Sequence, residues 1–352
     1  MSGNNLSQAF ARWSDTGKPL VLATVYETSG STYSKIGAQM LINAEGDFQG
    51  MLSGGCLEGD LAERARQVSE TGEAQAVTYD LTQDDDDLWG LGVGCDGIMR
   101  ILLQRLDAEG AYEPLPSMLR AFDGDNPQVA VTVIESGHTG ATGGSTAIIA
   151  DSQVIWSALP GEVLTDIRSD VAEALADGRS RLTKSRIGDA ELTLLVSLLR
   201  PRLRLLVLGA GLDAEPVVRL GAELGWRVTV SDHRPGYIDK GNFAGALHVQ
   251  CCVANELAQT TDLTSFDAVV VMSHHLASDE TYLRQLAETA ITYIGLLGPI
   301  NRRNRLLDSI PEHKEDLASR VRGPAGIDIN ASGPAAIALS IVAEIHRELV
   351  KI

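Results

Sequence analysis

Two cysteines sit among glycines. Ser53-Gly-Gly-Cys56-Leu-Glu58 places a thiol at an expected strand–helix junction, and Leu91-Gly-Val-Gly-Cys95-Asp-Gly97 places a second one in another glycine loop. A thiol at a helix N-terminus is a good nucleophile and a soft-metal ligand. Either cysteine alone would more commonly be a small buried residue; the recurrence of the pattern favours chemistry. Upstream, Ser29-Gly-Ser-Thr-Tyr-Ser-Lys35-Ile-Gly37 is a small, hydroxyl-rich loop with one cation, suited to holding an oxyanion. Lys35, Gly54, Gly55 and Glu58 are therefore candidate ligand contacts beside Cys56 and Cys95. Neither C-x-x-C nor paired-histidine spacing is present to close a zinc tetrahedron. Cys251 and Cys252 are adjacent on an expected strand, so their side chains point to opposite faces, and the run Asp84–Asp87 reads as a solvated turn.

A second constellation lies downstream. Gly209-Ala-Gly211-Leu-Asp-Ala214 follows an apolar strand and opens a helical pattern. In such a turn the first glycine permits the bend, the second admits a pyrophosphate, and small Ala214 lets helix and strand pack closely. Asp232 ends the next strand, where a carboxylate accepts from a ribose hydroxyl, so NAD is favoured over NADP; His233 and Arg234 soften that preference. Asp213 and Glu215 work against it, because they put negative charge where a phosphate should rest. His274, after the fourth strand of this half, is a candidate general acid or base. Arg302, Arg303 and Arg305 form a candidate anion cluster, with a solvated amphipathic helix as the bland alternative.

These residues need elements to hold them. The basic, proline-containing stretch Arg200–Arg204 marks a boundary, giving domains 1–200 and 201–352. The second alternates strand and helix, which predicts a parallel, doubly wound Rossmann-like sheet. Expected strands cover 205–207, 227–230, 246–253, 268–272 and 293–297; expected helices cover 280–290 and 334–349, the latter capped by Ser332. The first domain reads as α+β with an internal repeat, 20–66 and 128–175. Leu22-Ala-Thr-Val-Tyr-Glu27 aligns with Ala130-Val-Thr-Val-Ile-Glu135 at an offset of 108, and Gly37–Ile42 aligns with Gly144–Ile149 after one residue of slippage. Where the first copy has Ser53-Gly-Gly-Cys-Leu-Glu58, the second has Pro160-Gly-Glu-Val-Leu-Thr165.

The chain has 352 residues and a formal net charge of −18. That acidity argues against nucleic acid and against anionic membranes as partners. Met1–Lys18 lacks the basic-then-apolar pattern of an export signal, and four cysteines are too few for a disulfide framework. A cytoplasmic protein with reduced thiols is expected; self-association stays open.

Taken in order, Thr24-Val25, Gly30-Ser31, Gly37-Ala38, Ser53–Glu58 and Gly92-Val-Gly-Cys95 resemble the XdhC/CoxI family. Gly209-Ala-Gly211, Asp232-His-Arg-Pro235, Met272-Ser-His274, Tyr293–Gly298 and Gly326–Ile329 match its Rossmann half. The resemblance spans roughly residues 15–348. It implies an accessory protein for xanthine dehydrogenase-like molybdenum hydroxylases, one that binds molybdenum cofactor (molybdopterin), protects it during sulfuration with a cysteine desulfurase, and inserts it into the apo-enzyme. Cys56 and Cys95 would then face the molybdenum or its sulfur, and Lys35 with the glycine-loop amides would take the pterin phosphate. The family often has Ser-Ser-Pro-Arg in the first loop, where this chain has Lys35, and a histidine where it has Leu212. Two other readings compete: an NAD-dependent oxidoreductase using Asp232 and His274, and a dinucleotide-sensing regulator.

Overall fold

The computed structural model describes residues 3–81 and 97–350. Gly3–Pro201 forms one compact unit, and the chain from Arg202 onward forms the other.

The first unit contains α1 (Gly3–Ser14), β1 (Leu20–Gly30), β2 (Gln39–Ile42), β3 (Phe48–Gln49), α2 (Glu58–Thr71), β4 (Gln75–Asp80), β5 (Gly97–Leu106), α3 (Leu115–Asp123), β6 (Gln128–Ser136), β7 (Thr146–Ala150), β8 (Gln153–Ser157), α4 (Gly161–Asp166), α5 (Arg168–Asp177), β9 (Arg181–Ile187) and β10 (Ala190–Leu199). The strands make two antiparallel sheets of the same order, β3-β2-β1-β5-β4 and β8-β7-β6-β10-β9. Each central strand carries a bulge: Tyr26 is the extra residue in β1 and Ile134 the extra residue in β6, again 108 apart. The two bulged side chains meet, with Leu102 and Leu195, in one apolar cluster.

Alternation along these strands explains the packing. Leu20 and Leu22 of β1 share a core with Ala130, Ile148 and Leu199 of the second sheet, closed by Leu6 and Trp13 of α1 and Met118 of α3. Val21, Ala23 and Val25 point the other way, onto Leu57, Leu61, Ala65 and Val68 around α2. In the second sheet Val129, Val131 and Val133 pack likewise on Val163, Ile167 and Val171. Both central strands are buried on two faces, which is why they read as continuous apolar runs.

The second unit is the parallel, doubly wound sheet that its sequence predicts. It runs through β11 (Arg204–Leu208), α6 (Ala214–Glu223), β12 (Arg227–Asp232), α7 (Pro235–Lys240), β13 (His248–Cys251), α8 (Leu257–Thr260), β14 (Ala268–Val271), α9 (Leu276–Ala287), β15 (Tyr293–Leu296), α10 (Ile300–Asp308), α11 (Lys314–Arg320), β16 (Val321–Arg322) and α12 (Pro334–Leu349). The strand order β13-β12-β11-β14-β15-β16 reverses between β11 and β14. The ligand crevice of such sheets opens there, at the carboxyl ends of the strands. Helices α6 and α12 cover one face, and α9, α10 and α11 the other.

Two element starts and one helix cap differ instructively from expectation. β13 starts at His248, because Gly245 (φ +97°) turns the chain just before it. Helix α9 starts at Leu276, because His275 caps it, its Nδ1 accepting from the Ser278 amide. Helix α12 is preceded by Gly333 at φ +82° in the capping position, so Ser332 lies outside it.

Candidate functional site

The loop before α2 is shaped around a carboxylate. Glu58 is 1% exposed. Its Oε1 accepts from the amides of Leu52 and Ser53, both at 2.8 Å. Its Oε2 accepts from Ser53 Oγ at 2.6 Å and from the amides of Gly55 at 3.0 Å and Leu57 at 3.2 Å. Ser53 Oγ in turn accepts from the Leu57 amide at 2.8 Å. Burial raises the Glu58 pKa, but these hydrogen bonds outweigh it and hold the carboxyl below its ordinary value. Folding residues 52–57 around an internal anion requires Gly54 and Gly55 at φ +82° and +111°, a region costly for any residue with a Cβ.

That fold turns the backbone inside out relative to expectation. The Gly55 amide, expected to face a bound phosphate, donates inward to Glu58. Glu58 itself is a positioning group with its oxygens engaged. What the loop exposes is Gly54 and Gly55, while Cys56, a free thiol, is half-buried against the edge of the core formed by β1 and α2. The other polar loop lies alongside. Ser34 Oγ donates to the Met51 carbonyl at 3.3 Å, and the Tyr33 ring, 62% exposed, sits where a methyl group on Gly54 would touch it at 3.5 Å. Lys35 is exposed on the same loop. Gly97 packs against the Ser29 and Ser31 carbonyls, either of which would be 2.7 Å from a Cβ there. Cys95 and Asp84–Asp87 lie outside the described residues. Among the described residues no cluster of three or more His, Cys, Asp or Glu is set to hold a metal ion.

Two of these features were hidden in the sequence. Glu58 three residues after Gly55 follows the spacing in which a helix-start carboxylate reaches back to an amide, and that is the signal by which its role could have been found. Tyr33 had no signal beyond being aromatic in a polar loop.

In the second copy, Pro160, Gly161, Val163 and Thr165 hold the sequence places of Ser53, Gly54, Cys56 and Glu58. There α4 begins at Gly161 and Val163 is fully buried. A hydrogen bond between His138 Nε2 and Glu162 Oε1, 2.8 Å apart, joins the β6–β7 loop to the start of α4.

In the second unit the glycine turn sits at the sheet's reversal, and the protein's own groups fill it. Gly209 (φ +131°) is needed because a Cβ there would lie 2.4 Å from the Met272 carbonyl at the end of β14. A Cβ on Gly211 would meet Asp213 Oδ1 at 2.5 Å. Asp213 Oδ2 is 2.7 Å from Nε2 of His274, an exposed residue held at φ +61°. Ala214 is fully buried at the start of α6, and Leu212 is 79% exposed.

Asp232 is fully buried. Its Oδ2 accepts from the Ala210 amide and from Arg234 Nη2, each at 2.7 Å; its Oδ1 accepts from the Arg234 amide and Nε, each at 2.9 Å. Burial pushes its pKa up, and Arg234 with the two amides pulls it down further, below the ordinary aspartate value. Every acceptor position is taken, so Asp232 offers nothing to a ribose, and Asp213 stands where a pyrophosphate would rest. The turn as built does not fit NAD.

The arginine cluster also turns inward. Arg302 Nη2 donates to Asp279 Oδ2 at 2.7 Å, neutralising a carboxylate that is 1% exposed. Arg303 donates to the carbonyls of Val321 at 3.0 Å and Ala318 at 2.8 Å, satisfying the end of α11. Arg305 is exposed.

Residues 205–345 match the family model described as the XdhC Rossmann domain, and residues 13–80 match that of the XdhC and CoxI family. A Bacillus subtilis protein named as a probable xanthine dehydrogenase subunit is 32% identical, with 92% of each chain covered. The chain belongs to the XdhC and CoxI family. Another relative, the Escherichia coli molybdenum cofactor insertion chaperone PaoD, is 22% identical over 94% of this chain and 83% of its own. A crystal structure described as a xanthine dehydrogenase from Bacillus halodurans superposes with a TM-score of 0.80 at 29% identity, covering 99% of this chain and 97% of that one. Among the described residues no helix is long and apolar enough to cross a membrane.

Proposed function

We propose that this XdhC-family chain carries molybdenum cofactor as cargo, holds it while a cysteine desulfurase supplies sulfur, and inserts it into a xanthine dehydrogenase-like apo-enzyme. The observation that supports this reading most is the free Cys56 thiol, half-buried at the rim of a loop that Glu58 fixes from inside. Thiolate chemistry suits both a soft, dithiolene-bound metal and an exchangeable sulfido ligand. Lys35 supplies the nearby cation for the pterin phosphate, a need made sharper by the inward turn of the Gly55 amide. The Bacillus subtilis relative is named as a probable xanthine dehydrogenase subunit and the Escherichia coli relative as a molybdenum cofactor insertion chaperone, and both names support this reading.

The test is anaerobic purification followed by oxidation of any bound pterin to its fluorescent product. The full chain should carry or accept the cofactor, and Cys56→Ala should lose it while remaining folded. Protein that neither carries nor accepts the cofactor ends this reading. The oxidoreductase and sensor alternatives are not favoured, because Asp232 and Asp213 are disposed against a dinucleotide.

A further inference from the structure

The two sheets of unit 1 place their charges differently on matching rows. Just past the bulge of β1, Glu27 stands opposite Arg100 of β5, and Arg100 stands opposite Thr78 of β4. Glu27 and Arg100 close an ion pair across the strands. Just past the bulge of β6, Glu135 stands opposite Thr193 of β10, and Thr193 stands opposite Lys184 of β9. The cation has moved out by one strand, and a hydroxyl has taken its place. Residues directly opposite in an antiparallel sheet share a face. Glu135 and Lys184 therefore flank Thr193 with their backbones about 10 Å apart, twice the spacing of neighbouring strands.

A cavity of about 510 Å³ occupies this second row, lined by Glu135, Thr193 and Lys184. Two residues further along the same face, Arg186 and Glu191 stand opposite one another, line the cavity and pair as ions. Two residues the other way, Leu182 and Leu195 belong to the apolar cluster that holds both bulges. The hollow thus has a closed ion pair at one end and an apolar wall at the other. Among the described residues neither Lys184 nor the Thr193 hydroxyl has a partner. Glu135 lies within electrostatic reach of Arg100, but Arg100 is already bonded to Glu27. The charges on the two sides of Thr193 are opposite, and the sheet holds them apart.

We propose that this cavity binds a free α-amino acid, its carboxylate on Lys184 Nζ and the Thr193 hydroxyl and its ammonium group on Glu135. Side chains stand roughly upright from a sheet, so a guest one hydrogen bond from each head group has roughly 4 Å between its own charges. That is the separation across the head of an α-amino acid. A simple anion would satisfy Lys184 but lie beside the Glu135 carboxylate, and a simple cation would meet Lys184. Only a compact zwitterion answers both charges with charge-assisted hydrogen bonds. This inference does not rest on the reading of the Cys56 loop.

The test begins with dialysis of the full chain against an equimolar mixture of the standard α-amino acids, with bound material read by mass spectrometry. At least one should be retained. That acid is then titrated by calorimetry beside its N-acetyl form, which lacks the ammonium charge, and its amide, which lacks the carboxylate. Each derivative should bind about tenfold or more weakly, the scale of one hydrogen bond to a charged group. Lys184→Met and Glu135→Gln should each weaken the parent acid by about the same factor. Glu135→Lys/Lys184→Glu exchanges the two charges and should recover much of that loss, because the guest can bind turned end for end. Thr193→Arg rebuilds the row of the first sheet. It should abolish retention while holding the melting midpoint at or above that of the unaltered chain. Retention of no amino acid, or unchanged retention by folded Thr193→Arg or Lys184→Met, overturns the proposal. So does an N-acetyl form that binds as tightly as its parent, which would make the cavity an anion site.

Discussion

In the first half of unit 1 the chain leaves β3 and runs through irregular backbone, residues 50–57, before α2 begins. In the second half it passes through residues 158–160 from β8 straight into α4. The sheets have the same order and their central strands bulge at matching places, so the scaffold is not the source of the difference. One side chain is. Glu58 carries an acceptor into the interior and lets the backbone amides of Leu52, Ser53, Gly55 and Leu57 bond to it instead of to a preceding helical turn. Thr165, in the same sequence place, bonds back to the Gly161 carbonyl at 2.9 Å along an ordinary helix. Cys56 ends up half-buried at the edge of its sheet's core, whereas Val163 ends up fully buried inside the other. A thiol is kept partly accessible by unwinding the first turn of a helix and giving its amides a substitute partner.

The sharpest way to break this comparison is chemical. Cys56→Ala should reduce retained molybdopterin by about tenfold or more, the scale of a lost metal–ligand contact, while Val163→Cys in an otherwise Cys56→Ala chain should restore none of it. Fluorescence of the oxidised pterin reads both. Restoration by Val163→Cys would show that the opened loop is not what matters.

Next in size is the internal anion. Glu58→Gln swaps an acceptor oxygen for a carboxamide NH2 donor facing amide donors and should destabilise the unit by about 2–4 kcal/mol in urea unfolding. Thr165→Ala should cost about 0.5 kcal/mol or less. The Glu58 carboxyl is held below its ordinary value in the folded state. Its contribution is therefore complete above the unfolded-state value of about 4.3 and is lost as pH falls through the lower folded-state value. The Gln variant should show a shallower loss of stability on acidification. An unchanged slope would mean that Glu58 does not supply the loop's acid sensitivity.

Glycine at matching places gives a smaller contrast. Gly54→Ala must put a Cβ at φ +82° and should cost about 1–2 kcal/mol. Gly161→Ala, in a helix with open space around its Cβ, should be neutral or stabilising by about 0.5–1 kcal/mol. Calorimetric midpoints separate the two. Smallest of all, His138→Ala removes a pairing to Glu162, whose side chain is 59% exposed, and should change stability by less than about 1 kcal/mol.

Much of the second unit was legible in advance. Glycine spacing after an apolar strand, followed by strand–helix alternation, is a local pattern, and local patterns survive without knowledge of what packs where. Side-chain destinations were less legible. Arg302 and Arg303 look like an anion cluster until Asp279 and the end of α11 are seen to lie next to them. Asp232 reads as a ribose ligand until Arg234, two residues on, folds back onto it. The same holds for Gly54 and Gly55: their need for positive φ could be suspected, but not that the amide of Gly55 would point inward. In each case a charge found its partner inside the protein, and partner choice is a tertiary property.

The buried Glu58 has a further consequence for traffic through the site. A loop organised around its own anion is held by bonds that need no guest. No segment there has to order when a guest arrives, and none has to melt when it departs. On the proposed function, residence time would be set by the few atoms that touch the guest, Cys56 among them, and a receiver could take the guest by displacing those contacts while leaving the loop intact.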